Sequence, residues 1–159
     1  MKSLPEEVRL AEILRGYAPL GIAFSGGADS TALAVFASRV LNTGDVILIH
    51  AETPLAPGRE SQLVRETAKR YSIPLKTVFI DVLSDPAIRA NDSMRCYHCK
   101  KRIMGSVLDE LRSAGFRYLC DGANTDDFSD WRPGMKASAE LGVRHPFIEA
   151  GLGKRRIRL

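Results

Sequence analysis

The stretch Phe24-Ser25-Gly26-Gly27-Ala28-Asp29-Ser30-Thr31 puts two adjacent glycines beside three hydroxyls and one carboxylate. Glycine lets a ligand approach the main chain and accepts positive φ. Where a strand turns into a helix, bare N–H groups and the helix dipole favour an anion. Ser25, Ser30 and Thr31 add hydroxyl donors, and the stretch reads as a phosphate cradle. No lysine follows the glycines as in Gly-x-x-x-x-Gly-Lys-Ser/Thr, and the Gly-x-Gly-x-x-Gly spacing is absent. An ordinary glycine-rich turn is the plain alternative.

A second candidate is Asp121-Gly122-Ala123-Asn124-Thr125-Asp126-Asp127. Phosphates bring Mg²⁺, a hard ion that takes oxygen ligands, and Asp29, Asp126 and Asp127 are the carboxylates to hold it. A solvated turn with Asx caps is the competing reading. The third is Arg95-Cys96-Tyr97-His98-Cys99-Lys100-Lys101. A helix N-terminus and basic neighbours should favour thiolates, so Cys96 and Cys99 are candidates for redox or metal chemistry. One cysteine pair does not fill a four-ligand zinc site, and His98, lying between the cysteines, adds a third ligand only with difficulty. Cys120 reads as a small core residue.

These residues need strand ends to carry them. Leu20–Phe24, Asp45–His50, Leu75–Ile80 and Phe116–Cys120 are short apolar runs, the pattern of strands buried in a parallel sheet. A fifth strand is expected around Val143 to Phe147. Helices are expected from a capping box at Ser3-Leu4-Pro5-Glu6 to about Gly16, with Leu4, Val8, Ala11 and Leu14 on one face, and from Thr31 to about Leu41. Further helices are expected from Arg59 to Tyr71 with Leu63, Val64 and Ala68 inward, from Tyr97 to Ser113, and up to Leu141. Leu83 to Arg95 reads as a long loop with room for one helical turn. The alternation predicts an α/β fold: an open parallel five-stranded sheet with helices on both faces. In the order 3-2-1-4-5 the cradle and the Asp121–Asp127 loop face each other at the switch point, beside Ala51 and Asp81.

The 159 residues suit one domain with a real core. The net charge of +4 resides in Lys154, Arg155, Arg156 and Arg158; without them the balance is zero. A nucleic-acid footprint is therefore weakly supported. No transmembrane run or signal peptide is visible, and three cysteines argue against a disulfide framework. A cytoplasmic location is expected.

Phe24 to Thr31 resembles the PP-loop of ATP pyrophosphatases. Taken with Arg95 to Lys101, Asp121 to Asp127, Arg132-Pro133-Gly134 and the ending Pro146-Phe147-Ile148-Glu149-Ala150-Gly151-Leu152, the chain resembles the N-terminal domain of the LarE family, ATP-dependent sacrificial sulfur transferases. The resemblance implies ATP with Mg²⁺, adenylation of a carboxylate on a pyridinium mononucleotide with pyrophosphate release, and then attack by sulfur. It implies catalytic roles for Asp29, Asp126, Asp127 and Arg95. Nucleotide contacts are implied at Ser25, Gly26, Gly27, Asp29, Ser30, Thr31, Ala51, Gly122 and Asn124. Mg²⁺ would fall to Asp29 and Asp126, and Cys96 and Cys99 are candidates for an iron–sulfur cluster or another metal. A small-molecule nucleotide substrate and a homo-oligomer are expected partners, without membrane or nucleic acid. In family members that use a cysteine as sulfur source, that residue lies downstream of this domain. Residues 1–152 accordingly read as the ATP-binding domain and 153–159 as the start of a truncated helix, so autonomous sulfur transfer is not expected. Another PP-loop enzyme, such as a tRNA thiolation enzyme or amide-forming synthetase, and a nucleotide-binding module without chemistry are the alternatives.

Overall fold

A computed structural model describes residues 4–55, 58–128 and 133–158. In chain order the elements are α1 (Pro5–Tyr17), β1 (Leu20–Ala23), α2 (Ala28–Val40), β2 (Val46–Glu52), α3 (Gly58–Arg70), β3 (Leu75–Phe79), α4 (Pro86–Arg89), α5 (Arg95–Ser113), β4 (Tyr118–Cys120), α6 (Pro133–Glu140), α7 (Pro146–Glu149) and α8 (Lys154–Ile157). Short 3₁₀ turns lie at Thr43–Asp45, Val82–Ser84 and Thr125–Phe128. The sheet is parallel in the order β3-β2-β1-β4, with Ile22 paired to Leu48 on one side and to Cys120 on the other.

Side-chain alternation along β1 sorts the core into two layers. Leu20, Ile22 and Phe24 join Leu10, Leu14, Leu33, Val64 and Phe147, so α1, α2, α3 and α7 cover one face. Ile49 and Leu119 point to the other face, against Met104, Val107, Leu108 and Leu111 of α5. That helix can lie close because Gly21 leaves the space that the Leu111 side chain fills. Each fully buried leucine contributes about 1.5–3 kcal/mol from burial, and together they fix the strand ends that carry the loops.

The expected fifth strand is not formed. Between Gly142 and Pro146 the chain makes one parallel bridge, Cys120 to Arg144: Arg144 N donates to Leu119 O (2.8 Å) and Asp121 N to Arg144 O (3.0 Å). Pro146, with no N–H to give a ladder, instead opens α7 at its first helical position. The sheet therefore has four strands.

Two helix faces also differ from the periodic reading. In α1 the buried residues are Leu10, Ala11 and Leu14, while Leu4 and Val8 are exposed. Glu7, rather than Glu6, caps the Leu4 N–H (3.3 Å); the Ser3 of the expected capping box lies outside the described residues. In α3 Val64 and Ala68 are buried and Leu63 is exposed. The expected loop from Leu83 to Arg95 includes α4, whose N-cap Asp85 accepts from Ala87 N at 2.9 Å.

Candidate functional site

Strand β1 ends at Ala23, and the cradle turns directly into α2. Gly26 takes φ +84°, and a Cβ there would sit 3.0 Å from Val64 Cγ2, so this position requires glycine twice over. Gly27 is different. It is the N-cap of α2 with φ −70° and ψ 167°, a conformation open to any residue, and its free side gives room for close approach. Of the two glycines, only Gly26 uses positive φ. The N–H groups of Ala28, Asp29 and Ser30 open the helix ahead of any intrahelical acceptor. Ser25 Oγ accepts from Gly27 N (3.2 Å) and lies 3.1 Å from Ser30 Oγ, so the hydroxyls shape the cradle.

The loop after β4 presses against this turn. A Cβ on Gly122 would lie 2.8 Å from Ser30 N and 2.9 Å from Asp29 C, which leaves room for glycine alone. Beneath the contact, fully buried Asn124 donates from Nδ2 to Asp29 Oδ2 (3.1 Å) and accepts from Asp126 N at Oδ1 (3.0 Å). Its own N–H goes to Asp127 Oδ2 (2.9 Å). One residue, through its side-chain amide and its backbone N–H, thus ties three aspartates together.

Between the two loops lies a cleft of about 600 Å³. Ser25, Gly27, Asp29, Ser30, Ala51, Gly122 and Asp127 line it. Gly26, Thr31, Asn124 and Asp126 do not line it. Thr31 N donates to Gly27 O (3.0 Å) and Asp126 Oδ2 accepts from Lys154 N (2.6 Å), so these residues brace the cradle.

The cysteine segment is placed less as expected. Cys96 is exposed and Cys99 half-buried on the first turns of α5, Cys99 packing against Ile80, Val82 and Ile88. Neither lines the cleft, nor does Arg95, whose Nη1 donates to Asn91 Oδ1 (2.9 Å). Burial pushes the Cys99 thiol up, against the pull of Arg95 and Lys100, so the thiolate expected there is disfavoured. Burial likewise pushes the Cys120 thiol up, as suits a core residue. Among the described residues no group of three or more His, Cys, Asp or Glu side chains could hold a metal, so they do not complete a cluster site around Cys96 and Cys99. The same holds around Asp29, whose Oδ1 is buried and accepts no hydrogen bond.

Four lining residues take no role of their own from sequence, although Asp121 and Lys100 lie inside the quoted motifs. His50, buried at the end of β2, donates from Nδ1 to Phe24 O (2.8 Å), with Nε2 3.5 Å from Ser61 Oγ, tying the strand before the cradle to α3. A histidine closing an apolar run was the available hint. Asp121 holds His145 Nδ1 at 2.6 Å and accepts from Ala123 N at 3.1 Å through the same oxygen. Lys100 and Arg158 bring positive charge to the wall.

A parallel α/β sheet in this order, with the Ser-Gly-Gly-x-Asp-Ser turn at its switch point, is similar to the domains of PP-loop ATP pyrophosphatases. Solved structures bear out the fold: NMN synthetase from Francisella tularensis (TM-score 0.67, 14% identity, 98% of this chain and 68% of that one) and the U34-tRNA thiolase NcsA from Methanococcus maripaludis with its [4Fe-4S] cluster (0.68, 16%, 96% and 61%). Among curated sequences the chain is similar to pyridinium-3,5-bisthiocarboxylic acid mononucleotide synthase, LarE, of Lactiplantibacillus plantarum, 29% identical over 96% of this chain and 55% of the relative. It is 34% identical to an uncharacterized protein of Synechocystis over 86% of this chain and 51% of that one. The chain spans about half the length of the curated relatives it matches. No family model matches it. No described helix is long and apolar enough to cross a membrane.

Proposed function

We propose that this chain binds ATP with Mg²⁺ and adenylates a carboxylate, releasing pyrophosphate, as the ATP-binding part of a LarE-like sulfur transferase. The observation that carries the reading is the contact of Gly122 with the backbone of Asp29 and Ser30, which makes one cleft of the cradle and the aspartate loop. The cradle's N–H groups and hydroxyls would hold the phosphates, in the place where negative charge grows as pyrophosphate departs. Asp29, whose Oδ1 accepts no hydrogen bond, would hold Mg²⁺, which supplies further neutralisation of that charge when bound. A carboxylate oxygen of the acceptor attacks the α-phosphorus, the bond from phosphorus to the bridging oxygen breaks, and an acyl adenylate and pyrophosphate result.

The similarity to the mononucleotide synthase supports a pyridinium mononucleotide as the carboxylate bearer and sulfur as the next nucleophile. The test is pyrophosphate release from ATP and Mg²⁺ with and without pyridinium-3,5-biscarboxylic acid mononucleotide. Release that depends on the mononucleotide is the expected result. Release that depends instead on tRNA or ammonia, or no release at all despite ATP binding, overturns it in favour of another PP-loop chemistry or of a binding module.

A further inference from the structure

The cleft wall is short of positive charge. Its described lining carries four carboxylates, Asp29, Glu60, Asp121 and Asp127, and two cations, Lys100 and Arg158. A triphosphate brings about four further negative charges, and like charges at such range repel strongly in a partly desolvated cleft. Of the two cations, Lys100 sits on α5 with its stem against Gly134. Arg158 arrives on the cradle side, beside α2.

Arg158 is delivered there by a braced segment. Lys154 N donates to Asp126 Oδ2 (2.6 Å), Ile157 packs against the core, and Arg156 pairs with Glu6 (3.3 Å). A Cβ on Gly153 would lie 2.9 Å from Thr125 Oγ1, so the chain enters α8 flush against the aspartate loop. Arg158 Nε then stands 4.0 Å from Asp29 Oδ1, the buried oxygen that accepts no hydrogen bond. At that distance the pair is an attraction held short of a hydrogen bond.

We propose that Arg158 is a binding residue for the pyrophosphate portion of the nucleotide, resting against Asp29 in the free protein and turning to the β and γ phosphates when ATP enters. Its planar fork suits two phosphate oxygens at once. The move leaves Asp29 Oδ1 to a cation, so one exchange of partners serves both ligands. Because Arg158 follows α8 directly, bound nucleotide tightens residues 153–158 onto the aspartate loop. This inference rests on the ATP-binding reading above.

The test is calorimetry of the 159-residue chain with Mg²⁺ and, separately, ATP, pyrophosphate and AMP, for wild type, Arg158→Ala and Arg158→Lys. Arg158→Ala is expected to weaken ATP and pyrophosphate about tenfold or more, the worth of a charge-assisted contact, and to leave AMP unchanged; Arg158→Lys recovers part of the loss. Amide exchange across residues 153–158 should slow with ATP in wild type and not in Arg158→Ala. The Arg158 side chain is 60% exposed, so neither variant disturbs the core. Unchanged ATP affinity in Arg158→Ala, or an equal loss for AMP, overturns the assignment. If wild type itself binds no ATP, it is the proposed function that fails.

Discussion

At the scale of single residues, two glycines make opposite predictions. A methyl at Gly122 collides with the backbone of Ser30 and Asp29, which cannot swing aside. Gly122→Ala should cost about 1–3 kcal/mol, as forced overpacking does, and weaken ATP binding as the two loops separate. A side chain at Gly27 meets only Ser25 Oγ, at 3.3 Å, in a backbone conformation any residue accepts. Gly27→Val should therefore fold with only a modest loss of stability, from the poorer α2 N-cap and the contact with Ser25 Oγ, and should lose ATP because it fills the approach to the cradle. Thermal unfolding beside calorimetry reads both. A Gly27→Val variant that binds ATP normally would mean the phosphates lie elsewhere.

The cysteines give a second residue-scale prediction. The raised pKa of Cys99 lowers its thiolate fraction at every pH below that value, so its alkylation should be slow near neutrality and accelerate only above the ordinary thiol range. Exposed Cys96 should be modified first. Mass spectrometry after timed iodoacetamide treatment from pH 7 to 10 separates the two. The sequence showed basic neighbours and a helix start around both thiols. It did not show that Cys99 faces Ile80, Val82 and Ile88, since that packing is made by a loop closing from earlier in the chain.

Elements explain what was legible and what was not. Strand-to-helix alternation and the glycine turn are local patterns, and β1, β2, α2 and α5 formed close to where the pattern put them. The end of the chain failed for a local reason that was also visible: Pro146 inside the supposed fifth strand removes a donor and starts a helix. Leu63 and Val8 failed differently, because periodicity marks an apolar face without saying how far the neighbouring element reaches. His50, Asp121 with His145, and Arg158 escaped because their partners lie far away in sequence.

Element packing also predicts an alkaline weakness. Tyr17 at the end of α1 donates to Glu149 of α7 (2.7 Å), with Arg144 over its ring, and its ring packs tilted against Tyr118 of β4, centroids 5.0 Å apart. Burial and the Glu149 carboxylate push its phenol up to about 12. The folded state then keeps a proton that the unfolded chain gives up near pH 10. Stability from this group is intact below pH 10 and drains away as pH rises toward 12. Denaturant midpoints across that range should fall more steeply in wild type than in Tyr17→Phe. Parallel curves would show that the α1–α7 contact is not what holds the proton.

At the scale of the whole molecule, the question is what the cleft does with a reactive intermediate. Ser25, Gly27 and Ala28 are exposed, so an acyl adenylate formed against the cradle would meet water. Water exclusion is what keeps such intermediates from hydrolysis. On the proposed function, this chain with ATP, Mg²⁺ and the dicarboxylate mononucleotide should form AMP and pyrophosphate while returning the carboxylate unchanged, a futile cycle. Hydroxylamine, a nucleophile small enough to enter the open cleft, should divert that cycle to an acyl hydroxamate in proportion to its concentration. The Arg158→Ala variant should slow both products together, since Arg158 acts on ATP before the intermediate forms. Hydroxamate yield and AMP yield measured side by side decide the matter. AMP without hydroxamate at saturating hydroxylamine would mean that water attacks ATP directly and that no acyl adenylate forms.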